Sequence, residues 1–181
     1  AWVSTCIRIG NTSNTVDLVP FPTPLSEAWY HHESYHEGAG VTSRYVMQLT
    51  NTLGTPVFKI LYSGANGQLH AQRWDGSAWV VVGAAFDSAS GRHQFDSYIR
   101  TGANGAIEVY QDKIKVAEAA GDFSAMGEIA RMSFGNCRSF GSSESFHSQI
   151  LVASFSTIFA KVKQTLFTGA GGVQQWTGAV G

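Results

Sequence analysis

The chain has 181 residues, a formal net charge of −1, and 44% hydrophobic and 12% aromatic residues, which is the length and apolar content of one domain with one core. Charged residues make up only 14% of it, against a usual ~25%, which points to a surface shared with neighbours. Near-zero charge without a basic run excludes a nucleic-acid-binding reading, because such proteins carry a basic patch.

Ala1 to Asn11 has neither a basic leader nor a long apolar segment, so neither a signal peptide nor a membrane span is expected. Trp2 to Ile9 alternates as a strand and Asp17 to Phe21 is a short apolar run. Pro20, Pro22 and Pro24 then exclude a helix or a central strand, since proline lacks the amide donor. Glu27 to Glu37 fits a helix or a strand. Arg44 to Leu49 and Val57 to Tyr62 read as strands joined by a turn at Asn51-Thr52-Leu53-Gly54. Asn66-Gly67 and Asp75-Gly76 separate the next strands, Gln68 to Trp74 and Trp79 to Val82.

Gly91 to Val116 is the most ordered pattern in the chain. His93, Phe95, Ser97 and Ile99 alternate on the way out, and Ile107, Val109, Ile114 and Val116 carry the return. The spacing predicts a turn over Thr101 to Gly105, with Asn104-Gly105 adopting positive φ. Gln111-Asp112-Lys113 suggests a second tight turn or a bulge. Val116 to Met126 is the one stretch of helical composition, cut short by Gly121. Ile129 to Phe134, Ser148 to Ser154 and Val162 to Phe167 complete about ten short strands separated by turn residues, the signature of an all-β sandwich. One sandwich domain is expected over 1–168 and a glycine-rich C-terminal tail over 169–181. Cys6 and Cys137 read as two buried thiols or, alternatively, as a disulfide joining the ends.

His32-Glu33-Ser34-Tyr35-His36 matches H-E-x-x-H, which on a helix would bind zinc with the glutamate as general base. Ala39 and Thr42 stand where an extended zinc motif needs glycine and a third histidine. On a strand, His32 and His36 share one face with Ser34, while Glu33 and Glu37 face away. The motif then reads as polar surface strand, and neither a metal nor a cofactor is expected. Sandwich glycosidases need two carboxylates, roughly 5–5.5 Å apart in retaining enzymes. Glu33 and Glu37 have suitable spacing but no third acid nearby, and Asp96, Glu108 and Asp112 read as isolated solvent-facing charges. No nucleophile elbow or phosphate-cradling glycine loop is present. No catalytic residue is assigned and the chain is expected not to be an enzyme.

Trp74 and Trp79 flank the Asp75-Gly76 turn with Arg73 beside it. They form either a cross-strand aromatic pair or, with Asp75, a glycan contact in which an indole stacks on a sugar.

Phe58-Lys59-Ile60-Leu61-Tyr62, Trp74-Asp75-Gly76, Phe95-Asp96-Ser97-Tyr98 and Gly105 to Asp112 follow one another as in laminin-G-like, concanavalin A-like lectin/glucanase domains, which the region Thr42 to Ser154 resembles. The resemblance implies a jelly-roll β-sandwich of two antiparallel sheets, often sugar-binding; that superfamily's metal and hydrolase motifs are not matched. Ser148 to Ala153, Leu166, Gly169-Ala170-Gly171 and Trp176-Thr177-Gly178 resemble the ending of lectin-like structural proteins of tailed bacteriophages, although Ser154 to Ile158 replaces the charged run usual there. That resemblance implies a virion structural protein, capsid decoration or tail fibre, assembled in the host cytoplasm. Its partners would be other virion proteins and copies of itself, through Phe167 and Trp176, with host-surface polysaccharide as a secondary contact and no nucleic acid or membrane. A stand-alone carbohydrate-binding module and a polysaccharide-degrading enzyme are the alternatives.

Overall fold

The computed structural model describes residues 7–9, 15–17, 20–36, 44–63, 67–87, 91–135, 145–158, 161–163 and 177–179. Its strands, in chain order, begin with β1 (Ile7–Ile9), β2 (Thr15–Asp17), β3 (Glu27–His36), β4 (Arg44–Asn51) and β5 (Pro56–Ser63). They continue with β6 (Gln68–Trp74), β7 (Trp79–Asp87), β8 (Gly91–Arg100), β9 (Gly102–Gln111) and β10 (Ile114–Phe123). After a 3₁₀ turn at Ser124–Met126 come β11 (Ile129–Gly135), β12 (Ser145–Ala153), β13 (Lys161–Lys163) and β14 (Thr177–Ala179).

Two six-stranded sheets result, ordered β1-β12-β3-β8-β9-β10 and β2-β11-β4-β5-β6-β7, with β13 and β14 as a separate pair. All pairings are antiparallel. This is the sandwich that the spacing of short strands and turns predicts, in the jelly-roll form that the lectin-like resemblance implies.

The core lies between the sheets and follows the period of two. Ala28 and Tyr30 of β3, Phe95 and Ile99 of β8, and Ile107 and Val109 of β9 face Leu49, Phe58, Ile60, Leu69 and Phe134 of the second sheet. Each fully buried side chain of this size contributes roughly 1.5–3 kcal/mol relative to exposure. Pro20, Pro22 and Pro24 lie outside the ladders: the backbone there runs beside β11, held by Phe21 N to Ala130 O (2.8 Å) and the two-way pair Leu25–Ile129 (2.8 Å each). Asn51 fixes the β4–β5 turn. Its Oδ1 accepts from the Leu53 and Thr55 amides at 3.0 and 2.9 Å, and its Nδ2 donates to the Met126 carbonyl at 3.1 Å.

Two local expectations change. The β8–β9 turn does span Thr101 to Gly105, but the positive φ falls at Gly102 (92°) and not on Asn104-Gly105. Gly105 serves packing instead: it is buried, and a Cβ there would lie 2.5 Å from the Phe123 ring. The type I′ chemistry belongs to the next turn, where Asp112 (52°) and Lys113 (71°) both take positive φ between Gln111 and its partner Ile114. Val116 to Met126 is mostly strand. Its alanines are strand residues by context, because Ala117 packs beneath Gly83 of β7, close enough that a Cβ on Gly83 would meet it at 3.1 Å. Small side chains there let the edges of the two sheets approach. Cys6 and Cys137 lie outside the described residues.

Gly105→Ala is expected to lower stability by about 1–3 kcal/mol through overpacking against Phe123. For a domain of this size, each kcal/mol corresponds to a melting-temperature drop of roughly 2–4 °C. Thermal unfolding followed by circular dichroism checks this, and an unchanged melting temperature would contradict the packing role.

Candidate functional site

The residues of the first sheet that point away from the core form a continuous row. In the β3–β8 ladder, Trp29 stands opposite Tyr98, His31 opposite Asp96, and Glu33 opposite Gln94. On the far side β9 adds Tyr110 opposite Asp96 and Glu108 opposite Tyr98. On the near side β12 places Ser148, Leu151 and Ala153 opposite Glu33, His31 and Trp29. Residues directly opposite in an antiparallel pair share a face, so these side chains line one surface.

At its centre the row is closed. The segment that follows β12, Ser154 to Ile158, crosses it as a strap. Thr157 Oγ1 donates to Asp96 Oδ1 at 2.6 Å, and Gln94 Nε2 donates to Asp96 Oδ2 (2.7 Å) and to the Ile158 carbonyl (3.1 Å). His31 Nδ1 lies 2.8 Å from Asp96 Oδ1. His31 and Asp96 are 1% and 0% exposed.

Burial alone would raise the Asp96 pKa. The hydrogen bond and attraction from His31, then the bonds from Thr157 and Gln94, outweigh burial and hold the carboxyl below its ordinary value. An ionised carboxylate only accepts, so the proton of the His31–Asp96 bond sits on Nδ1. The other nitrogen, Nε2, is buried and has no hydrogen-bond partner among the described residues. In the neutral ring it carries the lone pair, and in the charged ring an N–H. This is the arrangement that lets a histidine exchange a proton with a bound molecule.

The two ends of the row differ. At one, the rings of Trp29, Tyr98 and Tyr110 cluster, with centroids 5.3 Å (Trp29–Tyr98) and 5.9 Å (Trp29–Tyr110) apart and tilts of 39° and 36°. All three are half-buried. The Tyr98 hydroxyl donates to Glu27 (2.5 Å) and the Tyr110 hydroxyl to Glu108 (2.6 Å). Lys115 bridges Glu108 and Glu118 at 3.3 and 3.0 Å. At the other end Arg92, 61% exposed, pairs with Glu33, beside Ser148 and the exposed ring of Tyr35.

H-E-x-x-H is on a strand, which puts His32 and Glu33 on opposite faces and removes the zinc-binding geometry of a helix. The strand is not a polar surface one, however. His32 is fully buried in the core, its ring 5.3 Å from Phe95 and 5.1 Å from Phe134, because β3 is central in its sheet. Among the described residues no group of three or more histidine, cysteine, aspartate or glutamate side chains converges to hold a metal ion.

Asp96 corrects the reading of it as an isolated solvent-facing charge. It is on the outer face as alternation requires, but the strap covers it. Glu108 is tied to Tyr110 and Lys115, and Asp112 to His93 at 2.7 Å. Glu33 belongs to the row, while Glu37 lies outside the described residues, as do Phe167 and Trp176.

Trp74 and Trp79 form a T-shaped cross-strand pair with centroids 5.8 Å apart. Trp79 also stacks on the buried Lys59, whose Nζ is 3.7 Å from the indole centroid. Asp75 caps its own turn, accepting from the Ser77 and Ala78 amides at 2.8 and 2.7 Å and from the Ser77 hydroxyl at 3.0 Å. Those bonds lower its pKa. Strand alternation separates Arg73 from Trp74, and its guanidinium lies over Phe123 at 4.6 Å.

His31, Trp29, Tyr98 and Tyr110 escaped sequence reasoning. The available signal was register: pairing Ala28 with Ile99 in the core aligns Trp29-x-His31-x-Glu33 against Gln94-x-Asp96-x-Tyr98.

No family model and no curated protein matches the chain. Solved structures do. An alginate lyase, AlyC3, superposes with a TM-score of 0.59 at 12% identity, over 81% of this chain and 73% of the lyase. An endo-β-1,4-glucuronan lyase from the fungus Trichoderma reesei gives 0.58 at 15%, over 83% and 80%. The globular domain of T. cruzi calreticulin gives 0.59 at 10%, over 80% and 71%. At such identities the likeness is one of fold, and the fold is the concanavalin A-like jelly roll.

One expectation falls with it. That the chain is not an enzyme rested on a Glu33–Glu37 pair with no third acid nearby, the absent nucleophile elbow and the unextended H-E-x-x-H motif, which are tests for hydrolases. The solved structures sharing this fold include lyases for alginate and glucuronan, and elimination chemistry calls for none of those constellations.

Because the folded-state pKa of Asp96 is depressed, its contribution to stability is present above the unfolded value of about 3.9 and is lost as pH falls through the folded value. Asp96→Asn should therefore cost about 1–3 kcal/mol near neutrality, with the gap to the parent closing in acid. Urea unfolding of both proteins at several pH values measures it. A gap that stays constant down to strong acid would mean that Asp96 is not ionised.

Proposed function

We propose that this chain binds a polysaccharide along the outer face of its first sheet and cleaves it by β-elimination, with His31 moving the proton. The observation that carries this reading is the His31 ring, fixed through Nδ1 by a buried carboxylate while its Nε2 is left unpartnered in the middle of a polar and aromatic row. Its support from comparison is the shared fold of lyases acting on alginate and glucuronan.

Elimination requires a carbon acid, which a uronate unit supplies next to its carboxyl group. Nε2 would take the proton from C5, the freed electron pair would form the C4–C5 double bond, and the glycosidic oxygen at C4 would leave with its own pair and pick up a proton. Asp96 does not touch the substrate. It holds the ring in one tautomer and stabilises the imidazolium, as an orienting carboxylate does in other histidine sites. The strap must lift for a sugar to reach Nε2, which breaks the bonds that Thr157 and Gln94 make across the row.

The virion setting is a separate proposal. It is supported by the C-terminal resemblance alone, and much of that region lies outside the described residues. Peptides of this chain should appear in a proteomic survey of purified phage particles from its source; their absence would remove the virion setting without touching the chemistry.

The elimination reading is tested by incubating the protein with a panel of uronate-containing polysaccharides and following ultraviolet absorbance of the unsaturated product. His31→Ala should reduce the rate by at least about 10²-fold, the lower end for losing a general acid–base group. Absence of unsaturated product from every polymer, or a His31→Ala protein as fast as the parent, would refute it.

A further inference from the structure

We infer that Trp29, Tyr98 and Tyr110 form a subsite for a neutral, hydroxyl-bearing sugar ring, adjoining the position of His31 and distinct from the place of the uronate. The inference rests on reading this face as polysaccharide-binding, and deepens it by naming what one end of the face accepts. Tilts of 39° and 36° make the three rings a shallow cradle and not a flat shelf. Their half-exposed faces offer the apolar surface on which the C–H side of a pyranose stacks.

The rim of the cradle selects the ligand. Both phenol protons are already given away, to Glu27 and to Glu108. Lys115 is held by Glu108 and Glu118, and Arg100 Nε donates to the Asn104 carbonyl at 2.8 Å. Apart from the Arg100 Nη groups and one Lys115 proton, what remains at the rim is acceptor capacity: carboxylate oxygens and phenol lone pairs. Glu108 is kept ionised at neutral pH, its pKa lowered first by the Tyr110 hydrogen bond and then by Lys115. A ring rich in hydroxyls brings the missing donors. A uronate brings one more carboxylate to a rim where Glu27, Glu108 and Glu118 already outnumber Lys115 and Arg100, and like charges repel.

Position supplies the rest. Trp29 and His31 are i and i+2 on one strand, roughly 6.6–6.8 Å apart along it, which is of the order of one sugar unit. A chain seated with a uronate at His31 therefore places its neighbour over Trp29. The substrate class that follows is a heteropolysaccharide in which a neutral sugar adjoins the uronate, not a homopolymer of uronates.

Isothermal titration of the whole chain tests this with neutral hexasaccharides (cello-, manno- and xylo-) and with an oligogalacturonate of equal length as probes. At least one neutral oligomer should bind, and Trp29→Ala should weaken it tenfold or more while leaving oligogalacturonate binding unchanged. Trp29→Phe, which keeps an aromatic face, should retain most of the affinity and guards against a folding defect. Glu108→Gln should admit the oligogalacturonate to the cradle, seen as an affinity gain lost again in the Trp29→Ala background. Failure of all three neutral probes to bind, or indifference of their binding to Trp29→Ala, would overturn the subsite. Binding should survive His31→Ala; an intact cradle in a protein that yields no unsaturated product would sink the elimination chemistry and leave the subsite standing.

Discussion

The ten-residue ladder between β3 and β8 is the constraint on which the other features depend. It runs without a bulge from Glu27 opposite Arg100 to His36 opposite Gly91. Because side chains alternate strictly between faces, this register sends two adjacent histidines to opposite fates. His32 enters the core and contacts Phe95 in its own sheet and Phe134 in the other. His31 meets Asp96 on the outside. A slip of one residue would exchange them, setting Tyr30 and His32 against the strap and Trp29 into the core. The anchoring of Ala28 against Ile99 and of His32 against Phe95 resists that slip, so core packing positions His31 and Asp96 on the face it does not touch.

Stability does not account for the group at the centre of the row. A buried ion pair is often no better than apolar residues of the same volume, since desolvation offsets the attraction. Asp96 receives three donors, from His31, Thr157 and Gln94, so the carboxylate is well satisfied. His31 is satisfied on one side only. A leucine pair there would bury as much surface and leave no orphaned nitrogen. The cost of the unpartnered Nε2 is most simply understood as the cost of keeping a site ready for a donor or acceptor that arrives from outside. Lys59 shows the contrasting solution on the second sheet, where a buried cation is covered by Trp79 and Tyr45.

Alternation and turn chemistry made most of the sandwich legible from the residues alone. Asp75-Gly76 and Asn51 to Gly54 turn where such residues should, and the proline run stays out of the ladders. Positive φ at Asp112 and Lys113 was harder to see than at Asn104-Gly105, because Asn-Gly carries the stronger local signal; tertiary packing against Phe123 claimed that glycine for another purpose. Ala117 to Ala120 read as helical because alanine has high intrinsic helix propensity, and the close approach of Gly83 overrode it. The site was illegible for a different reason. Its members come from β3, β8, β9 and the strap, and only a correct register joins Trp29 to Tyr98 or His31 to Asp96. Motif reading favoured His32 and His36 and passed over His31, which belongs to no motif. Asp96 looked solvent-facing since alternation predicts the face of a side chain and says nothing of a loop that returns more than sixty residues later to cover it.

A linear polysaccharide has a direction, and so does this face. One end offers a guanidinium, Arg92, in partnership with Glu33 and beside the Ser148 hydroxyl. The other offers three aromatic rings under a rim of acceptors. Between them the strap sits over His31, anchored on β8, and among the described residues it leaves both ends uncovered. A polymer of identical acidic units would find a cation at one end and carboxylates at the other, whichever way it lay. A polymer of identical neutral units would stack well on Trp29 but would bring no acidified C–H to His31. Only a chain whose units differ meets both ends favourably, and only in one orientation. Under the proposed reading, the polarity of the face would limit substrate and binding direction together, and that polarity follows from which residues the β3–β8 register exposes.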